Sequence, residues 1–563
     1  MVLGIPPGLF LIVGALLVPL FSGRWRKMYM LFLPLAGLWY LIGAQSGTFL
    51  TFTFLDYEIV PIRIDRLSLI FGYIFHIAAA LSVIYAWHND DIVEQMAGLS
   101  YAGAGIGAVF AGDLITLFVY WEAMAITSVF LIWARRTEAA YTAGMRYLII
   151  QVGSGVLLLS GAILMAHETG SIAFEKMTLG SLATWLILIA FGIKCAFPFM
   201  HNWLQDAYPE ATVTGTVFLS AFTTKCAVYA LARGFPGEEL LIYVGAAMTA
   251  FPIFFAVIEN DLRRVLAYSL NNQLGFMVVG VGIGTTLAIN GAAAHAFAHI
   301  LYKALLFMSM GAVLYRVGTV KGSELGGLYK SMPFTTVFCI IGAASISAFP
   351  LFSGFIAKSL TLSAVAHEGY LAIWMILLFA SAGVFHHSGI KIPYFAFFAH
   401  DSGKRCKEAP LNMLIAMGIT AFLCIAIGVY SPWLYSLLPY PVEYQPYTTG
   451  HVIGQYQLLM FSALAFAVLM RYKIYPPELK SVNLDFDITY RKWLPAIYRW
   501  VIHLTSDGWQ SILQDLRHGV RWIVAYMFRH HGPEGILART WPTGSMALWV
   551  AVLLGGILLL YYV

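Results

Sequence analysis

The feature that most constrains this chain is a run of long stretches without charge. Crossing the hydrocarbon of a bilayer as a helix takes about 20 apolar residues, and about sixteen stretches meet that ruler. They fall near 3–21, 28–45, 67–87, 96–111, 113–133, 142–166, 183–199, 212–232, 240–258, 265–283, 287–315, 333–367, 371–398, 411–436, 453–471 and 545–563. Of the 563 residues 60% are hydrophobic and only 11% charged, where soluble domains carry about a quarter. Soluble, disordered and nucleic-acid-binding classes are thereby excluded, and the chain reads as an integral, all-α polytopic membrane protein. Its 33 Lys+Arg against 28 Asp+Glu leave a formal charge of +5, a small excess suited to loops that face an anionic leaflet. Cys195, Cys226, Cys339, Cys406 and Cys424 are scattered, with no metal spacing, and read as packing residues.

Basic residues near helix ends favour the cytoplasmic side. One alternate set of loops holds Arg24, Arg26, Lys27, Arg135, Arg136, Arg263, Arg264, Arg316, Lys321, Lys330, Lys404, Arg405 and Lys407. The other holds Arg63, Arg66, Lys176 and Arg233. The asymmetry predicts an outside N-terminus and an inside 400–410 loop. In the first span no small-residue cleavage site follows the apolar run, and the cationic cluster comes after it, so a retained helix is expected rather than a signal peptide.

From Asp485 to His531 the composition changes. Arg491, Lys492, Arg499, Asp507, Asp515, Arg517, Arg521 and Arg529 interleave with Trp493, Ile497, Trp500, Trp509, Ile512, Trp522 and Tyr526. Such a segment cannot span, and it is expected to lie along the interface as a lateral amphipathic helix against lipid or neighbouring helices, ended by Pro533 before a final span. The expected organisation is N-terminal helices (1–95), a core (96–400), C-terminal core helices (401–484), and the lateral helix with its last span (485–563).

A charge at the centre of a span costs roughly 2.5–3.5 kcal/mol on insertion scales, so each needs a reason. Glu122, Lys194, Lys225, Lys303 and Lys358 all stand inside apolar stretches, with His295 and His299 among them. Burial disfavours the charged form of either kind of group and brings both towards the range where protons exchange. His295, His299 and Lys303 recur every four residues and so share one face of a helix, which suits a proton relay. Simple hydrogen bonding to a neighbouring helix and bis-histidine haem ligation are the alternatives.

Lys194 stands four residues before Pro198, whose missing N–H would have bonded the Lys194 carbonyl, so the helix is expected to break there. Pro350, with Ser353 and Gly354, predicts a second break before Lys358, and AFPF (196–199) echoes AFPL (348–351). Paired interrupted helices point to an ion site at a repeat interface. Asp113, Arg146, His201, Asp206, Glu259, Asp261, Arg263 and Arg264 lie near predicted helix ends, where a solvated or snorkelling role is expected. The dipeptide His386-His387 is too close to supply two ligands from one helical face. No P-loop, dinucleotide, nucleophile-elbow or zinc motif occurs, so a transporter component without its own redox cofactor or metal is expected.

The motifs YWE around Glu122, GIKCAFPFMHNWLQDAYPEATVTGTVFLSAFTTKCAVYAL (192–231), ENDLRRVLAYSLNNQLGF (259–276), AHAFAHILYKALLF (294–307) and FPLFSGFIAKSL (349–360) resemble those of the antiporter-like proton-translocating subunits. That family includes the large membrane subunits of respiratory complex I and the A-type and D-type components of Mrp cation/proton antiporters, with the D type the nearer likeness. The resemblance covers about residues 60–435. It implies a core of about fourteen helices with two inverted five-helix repeats, each with one broken helix.

By motif, Glu122 resembles the essential glutamate of the fifth helix, Lys194 its partner on the broken seventh, and Lys225 the lysine of the eighth. His295, His299 and Lys303 resemble the central relay, and Lys358 the terminal lysine of the broken twelfth. The implied function is proton translocation, with or without Na+, within an assembly of other hydrophobic subunits in a bacterial inner membrane, the lateral helix on the cytoplasmic side. A tail beyond the core departs from the D-type pattern and resembles a shortened form of the arm on the distal complex I subunit. Alternatives are a complex I-related redox pump, a membrane scaffold, and energy coupling for inorganic-carbon uptake.

Overall fold

The computed structural model describes residues 4–54, 57–476, 478–479, 483, 485–532, 535 and 542–562. The chain forms two units, residues 1–483 and 484–563. Among the described residues ten helices are long and apolar enough to cross a membrane, with shorter apolar helices beside them. The chain is a multi-pass membrane protein.

The first unit begins with α1 (Pro7–Leu16) and α2 (Gly23–Leu41). Four strands of three residues each then form two antiparallel pairs, in which β1 (Gly47–Phe49) lies on β4 (Ile62–Ile64) and β2 (Phe52–Phe54) on β3 (Tyr57–Ile59). In β4, Ile62 and Ile64 are buried and Arg63 between them is half-buried, the period-2 pattern of a strand. Next, α3 (Arg66–Tyr85) starts from a reciprocal cap in which Asp65 accepts from the Ser68 amide and Ser68 from the Asp65 amide.

Ten spans follow as two sets of five. The first set is α4 (Ile92–Phe110), α5 (Leu114–Trp133), α6 (Glu138–Thr169), the broken pair α7 (Leu182–Cys195) and α8 (Asn202–Ala207), and the pair α9 (Gly215–Ala221) and α10 (Thr223–Gly234). The second is α11 (Leu240–Ile258), α12 (Leu262–Ile283), α13 (Thr286–Val317), the broken pair α14 (Pro333–Ile346) and α15 (Ser353–His367), and α16 (Leu371–Val384), continued by π-helical turns over Phe385–Lys391 and Tyr394–Phe398.

Local details repeat at one spacing. Asp113 caps α5 and Asp261 caps α12, with carboxylates accepting backbone N–H groups of the first turn. Asp113 also bridges to Ala173, and Asp261 to Lys321. Both α6 and α13 run for 32 residues and end on left-handed Gly170 and Gly318. Each of these pairs lies 148 positions apart. Five spans is an odd number, so the second repeat enters the membrane from the opposite face, and the repeats are inverted.

The breaks repeat too. Ala196 and Phe199 have φ of 62° and 69°, and Ala348 and Leu351 have 57° and 74°. At the first break the Phe197 amide donates to Gly192 and the Ala196 amide to Ile193. At the second the Phe349 amide donates to Ala344 and the Ala348 amide to Ser345. This is the Schellman end of a helix with alanine where glycine usually stands. The helices thus stop before Pro198 and Pro350, because the residue ahead of a proline is driven out of the α region. The 333–367 stretch, one apolar run in the sequence, is two half-helices.

The first unit closes with α17 (Leu411–Val429), α18 (Ser431–Ser436) and α19 (Thr449–Arg471). Burial sorts the spans, since the apolar window of α13 is 94% buried and that of α19 only 11%. The helix that carries His295, His299 and Lys303 is therefore central in the first unit, and α19 stands at its rim.

In the second unit a π-helical turn (Thr489–Trp493) leads into α20 (Leu494–His531), and α21 (Thr543–Tyr562) is the last span. Trp500, Trp509 and Trp522 of α20 are exposed. Pro533 and the Asp507 side chain lie outside the described residues.

Candidate functional site

Lys194, Lys225, His295, His299 and Lys303 are fully buried and Lys358 is 1% exposed. In a low dielectric each ammonium must be hydrogen-bonded, and Lys225 and Lys358 are held by carbonyls at helix ends, Lys194 and Lys303 by groups within α5 and α12. The Lys194 ammonium donates to the Trp121 carbonyl and lies 4.7 Å from the centre of the Trp121 ring. Lys225 donates to the Ser220 carbonyl at 2.6 Å, across the interruption between α9 and α10. Lys358 donates at 2.7 Å to the carbonyl of Ile346, the last residue of α14. That end of the half-helix carries the negative pole of its dipole.

The ion pair expected between Glu122 and Lys194 takes a different form. Among the described residues no direct contact joins them. Lys194 holds the carbonyl of the residue before Glu122, while Glu122 Oε1 is buried without a hydrogen-bond partner among the described residues. The two charges remain within electrostatic reach of each other. Room for the carboxylate comes from Gly155 on α6, where an added Cβ would overlap Oε1.

On α13 the histidines share a face as expected, with ring centres 6.2 Å apart. His295 Nε2 lies 3.2 Å from Gln273 Oε1 and 3.0 Å from the Tyr302 hydroxyl. Both ring nitrogens of His299 are buried with no hydrogen-bond partner among the described residues. Lys303 donates to Ser269 Oγ at 2.8 Å and to the Leu266 carbonyl at 3.2 Å. Lys225 is within electrostatic reach of His295, His299 and Lys303, and Lys358 of both histidines. The structure therefore gathers Lys194, Lys225, His295, His299, Lys303 and Lys358 into one buried polar band, with the half-buried Glu122 at its edge.

Sequence reasoning missed Gln273, Tyr302, Ser269 and Ser388, because uncharged polar residues are common in helices and only their partners mark them. It also underrated several residues near helix ends. Arg263 does not snorkel: it is 1% exposed and donates to the carbonyls of Tyr208, Pro209, Ala211 and Thr212 and to the Thr216 hydroxyl. Arg146 grips Asp206 through two bonds of 2.6 and 3.0 Å. Asp113 and Glu259 are likewise buried. Outside the spans, Lys27 hydrogen-bonds Asp90 at 3.0 Å and holds its carboxyl below the usual carboxylate range. No group of His, Cys, Asp and Glu among the described residues has the form of a metal site.

A polytopic helical core with two inverted five-span repeats, broken helices and buried lysines defines an antiporter-like membrane subunit. The sequence profile for "NADH:quinone oxidoreductase/Mrp antiporter, TM" matches residues 111–428, more than half of the chain, and the chain belongs to that family. It is 27% identical over 430 residues to Hydrogenase-4 component B of Escherichia coli, covering 67% of this chain and 64% of that one. It is 28% identical over 502 residues to Na(+)/H(+) antiporter subunit A1 of Staphylococcus aureus, covering 80% and 61%. The chain thus spans less than two thirds of the length of these curated relatives.

Among solved structures, the Mrp complex of Dietzia sp. DQ12-45-1b matches with a TM-score of 0.77 at 22% identity, over 92% of this chain and 62% of that one. The archaeal membrane-bound sulfane sulfur reductase matches with 0.71 at 22%, over 98% and 99%. Respiratory complex I of Thermus thermophilus matches with 0.66 at 21%, over 77% and 98%.

Proposed function

We propose that this chain translocates protons, in exchange for Na+ or alone, as the D-like component of a larger membrane assembly with other hydrophobic subunits. The observation that carries the reading is the buried band itself. Four lysines and two histidines sit in the core of unit 1, with the half-buried Glu122 beside them and few compensating anions, a costly arrangement unless the groups exchange protons.

In this reading Glu122 and Lys194 form a switch. With the carboxylate near, the protonated lysine is favoured; with it away, the ammonium keeps only the Trp121 carbonyl and ring, and tends to release its proton towards Lys225. The proton passes along His299 and His295, whose free ring nitrogens accept it through bridging water, and reaches Lys303 and Lys358. The chain needs no cofactor or metal of its own for these steps. The membrane is a bacterial inner membrane, with the N-terminus outside and the lateral helix on the cytoplasmic side.

A second reading, in which a redox reaction in partner subunits drives the same relay, draws support from the match to the archaeal reductase, which covers the tail as well as the core. Purifying the assembly in mild detergent and identifying its subunits separates the two. Antiporter-type subunits alone support cation exchange, and iron–sulfur or quinone-reducing subunits support a redox pump. For both, Glu122→Gln is expected to abolish proton flux into vesicles while the assembly stays intact. Wild-type flux in that variant overturns the relay.

A further inference from the structure

The polar band does not end at Lys303. Ser269, which accepts from Lys303, has its hydroxyl oxygen 2.8 Å from that of Ser388, and Ser388 is in turn 2.9 Å from His387 Nδ1. His387 is fully buried, and its Nε2 has no hydrogen-bond partner among the described residues. The same π-helical turn carries Lys391, also fully buried. A turn wound with i→i+5 bonds is uncommon and concentrates at functional positions.

Lys391 donates to the carbonyls of Val257 and Glu259 at 2.7 and 2.6 Å and forms an ion pair of 3.0 Å with Glu478. The Glu478 side chain is 6% exposed, and Oε2 has no hydrogen-bond partner among the described residues. Beside it are two further buried polar atoms with no hydrogen-bond partner among the described residues, the Tyr475 hydroxyl and His386 Nε2, on rings whose centres are 5.4 Å apart. Across the turn after α11, Asn483 donates to Glu259 Oε2 at 3.3 Å.

We propose that Ser269, Ser388 and His387 carry the relay from Lys303 to Lys391, and that Glu478 is the carboxylate through which protons pass between the relay and the face bearing the 259–261 turn and the 399–410 segment. This rests on the proton-transport reading. A capping lysine would explain the bonds to Val257 and Glu259. It would not explain why the approach is lined by a hydroxyl pair, two histidines and a tyrosine with orphaned atoms. An unsatisfied buried polar atom is costly, and a proton path through water is one arrangement that gives such atoms partners.

The steps balance. The Lys391 ammonium gives one proton to Glu478, leaving a neutral amine and a carboxylic acid; the acid loses the proton to water at the surface. The amine regains one from the His387 imidazolium, which is recharged along the serine hydroxyls from Lys303. Run backwards, the same transfers admit a proton. Glu478 lies between α19 and the second unit, so the carboxylate belongs to the segment that leads into the lateral helix.

The test is proton flux in vesicles containing the whole assembly. Removing one partner of a buried pair leaves an uncompensated charge, whereas replacing both by apolar residues of similar size is often neutral to stability. The decisive variant is therefore Lys391→Met with Glu478→Met, checked for intact assembly, with Glu478→Gln and Glu478→Asp beside it. Loss of flux on the order of a hundredfold in the double variant, with partial rescue in Glu478→Asp, is expected. Wild-type flux in the double variant or in an assembled Glu478→Gln overturns the proposal. Glu122→Gln is the control: if it also conducts, the transport reading itself fails, and if it alone is silent, only the Glu478 path fails.

Discussion

Gly155 faces the carboxylate of Glu122 so closely that a single methyl group on it would overlap Oε1. Gly155 lies 148 positions before Lys303, the spacing that relates the two repeats, so the same place holds a glycine beside a glutamate in one repeat and a lysine in the other. Gly155→Ala is expected to push the carboxylate away from its place and lower proton flux towards that of Glu122→Gln. Helix propensity favours alanine by about 1 kcal/mol, so thermal stability should not fall. Flux at the wild-type level would separate the position of Glu122 from its function.

Arg263 tests the packing of the turn between α8 and α9. Its guanidinium satisfies four backbone carbonyls in a planar fork that an ammonium cannot reproduce. Arg263→Lys is expected to destabilise the solubilised protein by about 2–4 kcal/mol, since buried acceptors lose their donors. Thermal unfolding in detergent reads this directly, and an unchanged midpoint would contradict it.

The Arg146–Asp206 pair ties α6 to α8, just past the first break. Truncating one partner of a buried pair costs about 3–5 kcal/mol. The 29% exposure of Arg146 places Arg146→Met near the low end of that range or below it. The same unfolding measurement checks it, and an unchanged midpoint would contradict it.

The left-handed alanines offer a test of opposite sign. An L-residue in that region costs roughly 1–2 kcal/mol relative to glycine. Ala196→Gly and Ala348→Gly are expected to raise the unfolding midpoint, and Ala348→Val to lower it. If valine were as stable as alanine, the break would not have the Schellman form.

Much of this architecture was legible because a bilayer makes every charge conspicuous. Glu122, Lys194, Lys225, Lys303 and Lys358 stand out in apolar runs, and all four lysines are buried, with the carboxylate oxygen of Glu122 buried beside them. The two breaks were legible because Pro198 and Pro350 cannot continue a helix.

Less visible was whatever depends on a partner far along the chain. Ser269 and Ser388 look ordinary until they meet across 119 positions. The expected contact of Glu122 with Lys194 was displaced onto the Trp121 carbonyl, because a backbone oxygen competes for an ammonium and leaves no trace in side-chain identity. The strands between α2 and α3, of three residues each, are too short for alternation to declare them. His386-His387 read as a failed metal pair, and Lys391 and Glu478 escaped notice, since their chemistry arises from the π-helical turn and the segment after α19.

The central claim is that the buried charges move protons rather than hold helices together. The most direct measurement is proton flux into vesicles from the intact assembly carrying Lys194→Met. Methionine fills the space of the lysine stem and leaves Glu122 in place, so the assembly should persist while flux disappears. Flux at the wild-type level from an intact Lys194→Met assembly would contradict the account and return the lysines to a structural role.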